Sequence, residues 1–158
     1  MSYAPPPAYQ PPASLSQGEP PLNQPYYGAP FSVAVRRYVA KYATFSGRAS
    51  RSEYWWWQLV AAVVGIVYSI LNSALRGAHA GPTNVYFTSP GQSVVEILYF
   101  IWALANIVPS LALAWRRLHD TNRSGAWYFI ALIPIVGGII LLVWFCSADK
   151  GEGRRFDR

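Results

Sequence analysis

Residues 54–75 read YWWWQLVAAVVGIVYSILNSAL, a stretch of 22 residues that contains no charged side chain. Two similar stretches follow, residues 94–115, in which Glu96 is the one charge, and residues 126–146, which have none. A helix needs roughly 20 apolar residues to cross a bilayer, and buried helices of soluble proteins usually carry a polar stripe. The three stretches therefore predict an all-α membrane protein with a small bundle of three transmembrane helices.

The composition agrees with a membrane location. Only 13% of the 158 residues are charged, whereas about 25% is usual in soluble domains, so a conventional soluble globular protein is excluded. Cys146 is the one cysteine, which rules out an intramolecular disulfide and a multi-cysteine metal site. The net charge of +6 is concentrated in short flanks beside the apolar stretches. Lipid phosphate explains that placement better than nucleic acid does.

The first 30 residues form a separate region. They contain nine of the 13 prolines and a single charge, Glu19. Proline removes backbone donors and disfavours helix at the preceding residue, and the region has too little apolar surface to order itself. It has neither the basic start nor the apolar run of a signal peptide. We expect a disordered, proline-rich tail over residues 1–30 and an integral-membrane domain over residues 31–158.

A short amphipathic helix is predicted over residues 31–45. Its apolar side chains recur at helical spacing on one face, and its basic side chains point elsewhere. Such a helix suits the interface of an anionic membrane, and packing on the cytoplasmic ends of the bundle is a compatible interpretation. The apolar face contains Phe31, Val35, Tyr38, Tyr42 and Phe45, and the basic residues are Arg36, Arg37 and Lys41.

The tryptophans of the third stretch favour a straight crossing. Trp127 and Trp144 are 17 residues apart, which is roughly 25 Å along a helix, and indoles prefer the two interfaces of a bilayer. Pro134, Gly137 and Gly138 near its middle leave open a re-entrant hairpin, but non-helical backbone at membrane depth must be shielded. We expect the simple crossing, with the hairpin as the alternative.

The basic residues predict the orientation. Five precede the first stretch, one lies in the link of residues 76–93, three lie in residues 116–125 and four follow the third stretch. Three crossings with a cytoplasmic N-terminus place eight basic residues inside and five outside, which the positive-inside rule favours over the reverse. A re-entrant third stretch would place 12 basic residues inside and one outside. We expect a multi-pass protein with its N-terminus in the cytoplasm.

Two polar motifs interrupt the apolar sequence. Residues 45–55 read FSGRASRSEYW, and residues 116–127 read RRLHDTNRSGAW. If the first two stretches both cross, the chain leaves and returns, so both motifs lie on the same side of the membrane. This placement permits pairing of Glu53 with Arg117, or of Asp120 with Arg48 or Arg51.

At these motifs the chain resembles the bacterial integral-membrane family called domain of unknown function 805. Members carry F-x-GR-x-x-R-x-E-[YF]-W before the first span and RRLHD-x-x-x-SG-x-W before the last, and both patterns occur here. The resemblance covers about residues 38–158. It departs at Ala126, where members often have Trp, and in the ending GRRFD of residues 153–157, where members often have Gly-x-Asn-x-[FY]-Gly. The resemblance implies a location in the bacterial inner (plasma) membrane and no reaction, since the family has no established activity.

The arginines of the two motifs are predicted to lie at the level of lipid phosphates. Guanidinium groups bind phosphate through two hydrogen bonds, although topology anchoring and local salt bridges are the simpler explanation. We predict a polar cluster that binds headgroups or stabilises the fold, and we expect no catalytic residue, metal ligand or cofactor. Its members are Arg48, Arg51, Glu53, Arg116, Arg117, His119, Asp120, Arg123, Ser124 and Gly125.

His119 and Asp120 also allow a catalytic interpretation, because a general base needs an oriented imidazole. Ser124 is an available but commonplace nucleophile, and adjacent His and Asp are poor metal ligands without others. We expect instead that His119 and Asp120 end the second helix. Asp120 or Ser124 then caps the third helix, and Gly125 eases the turn.

Polar residues inside the spans leave a transport function open. Asn106 and Ser110 share one face of the second stretch beside Pro109, which also suits a hydrogen-bonded seam between helices. The leading prediction is a non-enzymatic protein whose arginine-rich cytoplasmic face binds anionic lipid headgroups or a protein partner, a second copy included, and no nucleic acid. The alternatives are an oligomeric small-solute or ion transporter, and a lipid-headgroup enzyme that uses His119 and Asp120.

Overall fold

The computed structural model describes residues 19–77 and 89–157. Every regular element in these two ranges is helical, so the all-α prediction is confirmed for the part of the chain that the structure describes. Its helices, in chain order, are α1 (Phe31–Ala40), α2 (Arg51–Gly77), α3 (Pro90–Asp120), a first 3₁₀ helix (Gly125–Leu132), α4 (Val136–Cys146) and a C-terminal 3₁₀ helix (Gly151–Phe156).

The helices α2 and α3 form an antiparallel pair. Both are long and apolar enough to cross a membrane, over Arg51–Leu75 and Pro90–Asp120. The rings of Tyr68 and Tyr99 stack between them with centroids 3.9 Å apart. Many of their other apolar side chains are exposed, as expected for surfaces that face lipid. The first two apolar stretches therefore lie within helices that extend beyond the predicted bounds, to 27 and 31 residues.

The third apolar stretch is not the straight helix that we predicted over residues 126–146. It is divided between the first 3₁₀ helix and α4, which pack against each other and form a hairpin over residues 125–146 (hereafter the hairpin). Trp127 and Trp144, predicted at opposite interfaces, have ring centroids only 5.8 Å apart. The prediction of a single crossing helix for this stretch was wrong.

The turn of the hairpin has a local physical cause. Pro134 has no N–H to continue a helix, and Ile135 follows it with a φ of 64°. The N–H of Val136 donates to the carbonyl oxygen of Pro134 at 2.7 Å, which closes a γ-turn. Gly137 then lets the two arms approach, because a Cβ there would lie 1.8 Å from the carbonyl oxygen of Ile130.

The helix α1 ends at Ala40 instead of continuing to residue 45. Tyr38 is buried and stacks on Trp57 with centroids 3.5 Å apart. Contrary to prediction, Arg37 and Lys41 also point into the protein, where each is at most 2% exposed. The reason is electrostatic, because the carboxylate of Glu53 lies under this face of α1. Phe31, Tyr42 and Phe45 remain exposed.

Residues 19–30 were predicted to be disordered but lie across the start of α2, and we call them the strap. The N–H of Ala29 donates to Ser52 Oγ at 2.9 Å, and Ser50 Oγ donates to the carbonyl oxygen of Tyr26 at 2.6 Å. Prolines lose donors but keep acceptors, and Arg37 Nη1 donates to the carbonyl oxygen of Pro20 at 2.8 Å. Residues 1–18 of the predicted tail lie outside the described residues.

Candidate functional site

The first polar motif begins α2 with a capping box. Ser50 Oγ accepts from the N–H of Glu53 at 3.2 Å, and Glu53 Oε2 accepts from the N–H of Ser50 at 2.8 Å. This reciprocal pair satisfies two backbone donors at the helix N-terminus. The Ser-x-x-Glu spacing was available in the sequence but was not used in the prediction.

Glu53 is also the centre of a buried ionic cluster, which we call the Glu53 cluster. Its Oε1 lies 2.5 Å from Arg37 Nε and 3.8 Å from Lys41 Nζ. Burial lowers the pKa of Lys41 to about 7, although the nearby Glu53 carboxylate raises it. Arg116 lies beside the same cluster, because its carbonyl oxygen accepts from the N–H of Ala49 at 3.1 Å, next to Ser50, and its side chain is buried. The pairing of Glu53 with Arg117 that the sequence permitted is not formed, because Arg117 binds Asp120 instead.

Asp120 is the centre of a second buried group, the Asp120 cluster. Its Oδ2 lies 2.6 Å from Arg117 Nη1, and both side chains are fully buried. Its Oδ1 accepts from the hydroxyl of Tyr27 at 2.7 Å and lies 3.5 Å from Arg48 Nη1. The predicted proximity of Asp120 and Arg48 is confirmed, whereas Arg51 is exposed. Burial, followed by the charge of Asp120, raises the pKa of Tyr27, which therefore stays a donor.

Arg117 joins the two motifs to the end of the hairpin. Its Nε and Nη2 donate to the carbonyl oxygen of Phe145 at 3.1 and 3.0 Å, and Nη2 donates to the carbonyl oxygen of Ser147 at 2.5 Å. The last carbonyls of a helix have no partner inside the helix, so this guanidinium supplies the C-terminal cap of α4. The C-terminal ends of α3 and α4 therefore lie side by side.

The C-terminal segment completes this end of the molecule. Asp157 accepts from Arg48 in a two-point pair, with Nε to Oδ1 at 2.7 Å and Nη2 to Oδ2 at 2.6 Å. Phe156 stacks on the ring of His119 with centroids 4.0 Å apart. Gly153 is needed because a Cβ there would lie 2.5 Å from the carbonyl oxygen of His119. This role was not predicted from the sequence, in which the ending stands out only as a departure from a family pattern.

His119 and Ser124 occupy structural positions. His119 is 7% exposed, and its Nδ1 lies 3.0 Å from the carbonyl oxygen of Gly47. Ser124 caps the first 3₁₀ helix by accepting from the N–H of Ala126 at 3.4 Å, as the sequence predicted for it or for Asp120. Within the described residues, no group of three or more His, Cys, Asp and Glu side chains is placed to hold a metal ion.

Gly125 follows Ser124 for a steric reason. A Cβ at this position would lie 2.0 Å from the indole of Trp115. Gly125 was predicted to ease the turn, and the structure shows that it also allows the first 3₁₀ helix to approach α3 closely.

The five arginines of the predicted polar cluster fall into two groups. Arg48, Arg116 and Arg117 are buried, at 7% exposure or less. Arg51 is exposed, and Arg123 is half-buried, with its guanidinium 4.5 Å from the ring centroid of Trp144. Arg51 and Arg123 are the members of the predicted cluster that remain accessible to a lipid headgroup.

The polar residues of the spans are engaged with other side chains. Asn106 Oδ1 accepts from the hydroxyl of Tyr38 at 2.9 Å, and Ser110 Oγ lies 3.0 Å from the same hydroxyl. At the other end, Gln92 Nε2 donates to Asn72 Oδ1 at 3.2 Å and to Glu96 Oε1 at 3.1 Å. These contacts attach α1 to α3 and α2 to α3, as the predicted hydrogen-bonded seam requires.

Residues 42–158, which include both motifs and the C-terminal segment, match the family described as protein of unknown function DUF805. The chain belongs to this family. The inner membrane protein YhaI of Escherichia coli (strain K12) is 37% identical over 120 residues, which are 75% of this chain and 86% of YhaI. The inner membrane protein YhaH of the same strain is 34% identical over 118 residues, covering 75% of this chain and 88% of YhaH. No solved structure matches the chain.

Two membrane-compatible helices and relatives named as inner membrane proteins make this chain an integral protein of the inner membrane. The family carries no assigned reaction. The family match begins at residue 42, so the strap and α1 precede it.

Proposed function

We propose that α2 and α3 cross the inner membrane and that the hairpin enters the membrane from the cytoplasmic side and returns to it. Arg117 supports this topology, because it binds the last carbonyls of α4 while it lies at the end of α3. The C-terminal 3₁₀ helix then lies on the same side as both polar motifs. The N-terminal strap and the C-terminal segment are cytoplasmic in this arrangement.

The charge distribution supports the same topology. This topology places twelve basic residues on the cytoplasmic side and one, Arg76 in the last turn of α2, on the other. Three crossings would leave five outside, so the re-entrant arrangement follows the positive-inside rule more closely.

The turn of the hairpin suits membrane depth because several of its backbone donors have partners. The N–H of Ile133 donates to the carbonyl oxygen of Ile130 at 2.9 Å, and that of Gly137 donates to Ile133 at 3.0 Å. Pro134 has no donor to satisfy. Exposed apolar side chains at Leu132 and Ile135 then face lipid.

The cytoplasmic end binds the headgroups of anionic lipids and performs no reaction. The buried arginines pair with carboxylates and carbonyls and form a rigid support, while Arg51, Lys150, Arg154 and Arg155 are exposed around it. The contact between Arg123 and Trp144 carries this proposal, because it places a cation beside an interfacial indole that also contacts Trp127. Indoles mark the headgroup level of a bilayer, where a basic residue gains about 1 kcal/mol.

The test is lipid selection during reconstitution. The full chain is placed in nanodiscs formed from equal parts of phosphatidylglycerol and phosphatidylcholine, and the retained lipids are quantified against empty discs. We expect enrichment of phosphatidylglycerol that falls in the Arg51→Ala, Arg123→Ala double variant. Arg76→Ala is the control, since it removes one positive charge on the opposite side of the proposed topology. Equal lipid ratios in filled and empty discs would contradict the proposal.

A further inference from the structure

Two buried cationic groups lack a hydrogen-bond partner among the described residues. They are Lys41 Nζ, at the end of α1, and Arg116 Nη2, in the last turn of α3. Both residues are 2% exposed. A buried charged group without a partner costs several kcal/mol, so a native structure that keeps two of them in one cluster calls for an explanation.

The groups around these two cations do not neutralise them. Glu53 Oε1 is already bound by Arg37 Nε at 2.5 Å, and Lys41 Nζ lies 3.8 Å from the same oxygen. That separation is too long for a hydrogen bond. Glu53 Oε2 accepts from the backbone of Ser50 at 2.8 Å. Glu53 is therefore shared between Arg37 and Lys41, and no carboxylate among the described residues lies within salt-bridge distance of the buried Arg116 guanidinium.

Arg116 has one inward partner and one free edge. Its Nε donates to the carbonyl oxygen of Ala112 in its own helix at 3.2 Å, which leaves Nη2 for another acceptor. A guanidinium edge and an ammonium together suit a compact anion with several acceptor oxygens. The deficit of negative charge in the cluster favours a multiply charged anion over a neutral ligand.

We propose that a phosphate group binds in the Glu53 cluster, accepting hydrogen bonds from Lys41 Nζ and Arg116 Nη2. This site goes beyond the proposed function, because it is buried and stoichiometric and uses neither Arg51 nor Arg123. Inorganic phosphate and the phosphomonoester of a lipid headgroup share the required chemistry, and α1 lies at the end of the bundle that headgroups surround in the proposed topology.

The test measures thermal unfolding of the full chain in detergent after removal of native lipid. One arm adds sodium phosphate against sodium chloride at equal ionic strength, and the second adds short-chain phosphatidic acid against short-chain phosphatidylcholine. We expect a rise in the unfolding midpoint of about 5 °C at saturation. A rise of the midpoint in both arms means that the site binds free phosphate and lipid phosphomonoesters alike. A rise in the lipid arm alone means that its ligand is the headgroup. A rise in neither arm, or an equal rise with chloride, overturns the proposal.

Variants assign the effect to these two residues. Lys41→Met and Arg116→Met remove the charges and keep an apolar stem, so they should lose the shift, while Lys41→Arg should keep it. Arg36→Met is the matched control, since it removes the same charge from the exposed face of α1, and it should keep the shift. If the Met variants do not fold, Lys41→Gln is compared with the wild-type protein by ³¹P NMR. Binding broadens the phosphate resonance, and this broadening should be lost with the variant. Loss of lipid enrichment in nanodiscs without loss of the phosphate shift would overturn the proposed function alone.

Discussion

Trp127 and Trp144 lie edge to face, with ring centroids 5.8 Å apart, although 17 residues separate them in the sequence. In one continuous helix the same residues would be about 25 Å apart. Their contact brings the base of both hairpin arms to one level, where Arg123 covers Trp144.

The close packing of the hairpin depends on Gly137. In Gly137→Ala the new Cβ would lie 1.8 Å from the carbonyl oxygen of Ile130, so the arms must separate. We expect a loss of about 3 kcal/mol, seen as a lower unfolding midpoint in detergent. Gly138→Ala is the matched control, because nothing lies within 4 Å of its Cβ position, and alanine favours helix. Equal midpoints for the two variants would argue against the packed hairpin.

The turn itself contains a strained residue. Ile135 has a φ of 64°, which is unfavourable for a β-branched side chain, and such residues cost about 1–3 kcal/mol. Since Ile135 is 80% exposed, Ile135→Gly removes strain with little lost packing and should raise the unfolding midpoint by a few degrees. Ile133→Gly, at an ordinary φ of −83°, should lower it. A lower midpoint in Ile135→Gly would contradict the γ-turn.

The C-terminal segment is held by the pair of Arg48 and Asp157. Asp157→Asn removes the charge that accepts two hydrogen bonds from a guanidinium that is 8% exposed. A charged hydrogen bond contributes about 1.5–3 kcal/mol, so the unfolding midpoint should fall and proteolysis of the C-terminus should become faster. Asp149→Asn changes an exposed carboxylate nearby and should have almost no effect. The assignment fails if both variants behave like the wild-type protein.

Lys41 gives stability a dependence on pH. Its pKa is lowered to about 7 in the folded protein, by burial and by the charges of Arg37 and Arg116 against the attraction of Glu53 and Asp157. The unfolded chain keeps this proton up to about pH 10.4. The unfolded state therefore binds more protons above pH 7, and stability rises with pH in that window.

The measurement is the unfolding midpoint between pH 7 and pH 9 in detergent without phosphate. The wild-type midpoint should rise with pH, because the free energy of unfolding increases by at most about 1.4 kcal/mol per pH unit. The midpoint of Lys41→Met should change little. A wild-type midpoint that does not depend on pH, or an equal slope in the variant, would show that Lys41 is not titrating there.

Much of the helical architecture could be predicted from the sequence. The apolar stretches at residues 54–75 and 94–115 are long enough to predict two long helices, and the shared side of the two motifs predicted the contact of Asp120 with Arg48. Apolar length alone could not show that residues 126–146 fold back. That result depends on the approach of Gly137 to Ile130, which is a property of packing.

The ionic clusters were harder to predict because their members are far apart in the chain. Arg37 is buried because Glu53 lies under α1 and pairs with it. Sequence periodicity placed Arg37 on the polar face of the helix, since the periodicity of one helix cannot reveal a partner on another. Asp157 and Arg48 are 109 residues apart. Only the hairpin, which brings the C-terminal segment back to the end of α3, makes their contact possible.

The side of the C-terminus decides between the re-entrant hairpin and a third crossing. Green fluorescent protein and alkaline phosphatase are fused in turn after residue 158 and within the link of residues 78–88, and both reporters are measured in cells. The re-entrant hairpin predicts a fluorescent, phosphatase-silent C-terminus and phosphatase activity from the link. Active phosphatase with silent fluorescent protein at the C-terminus would contradict it and would restore three crossings.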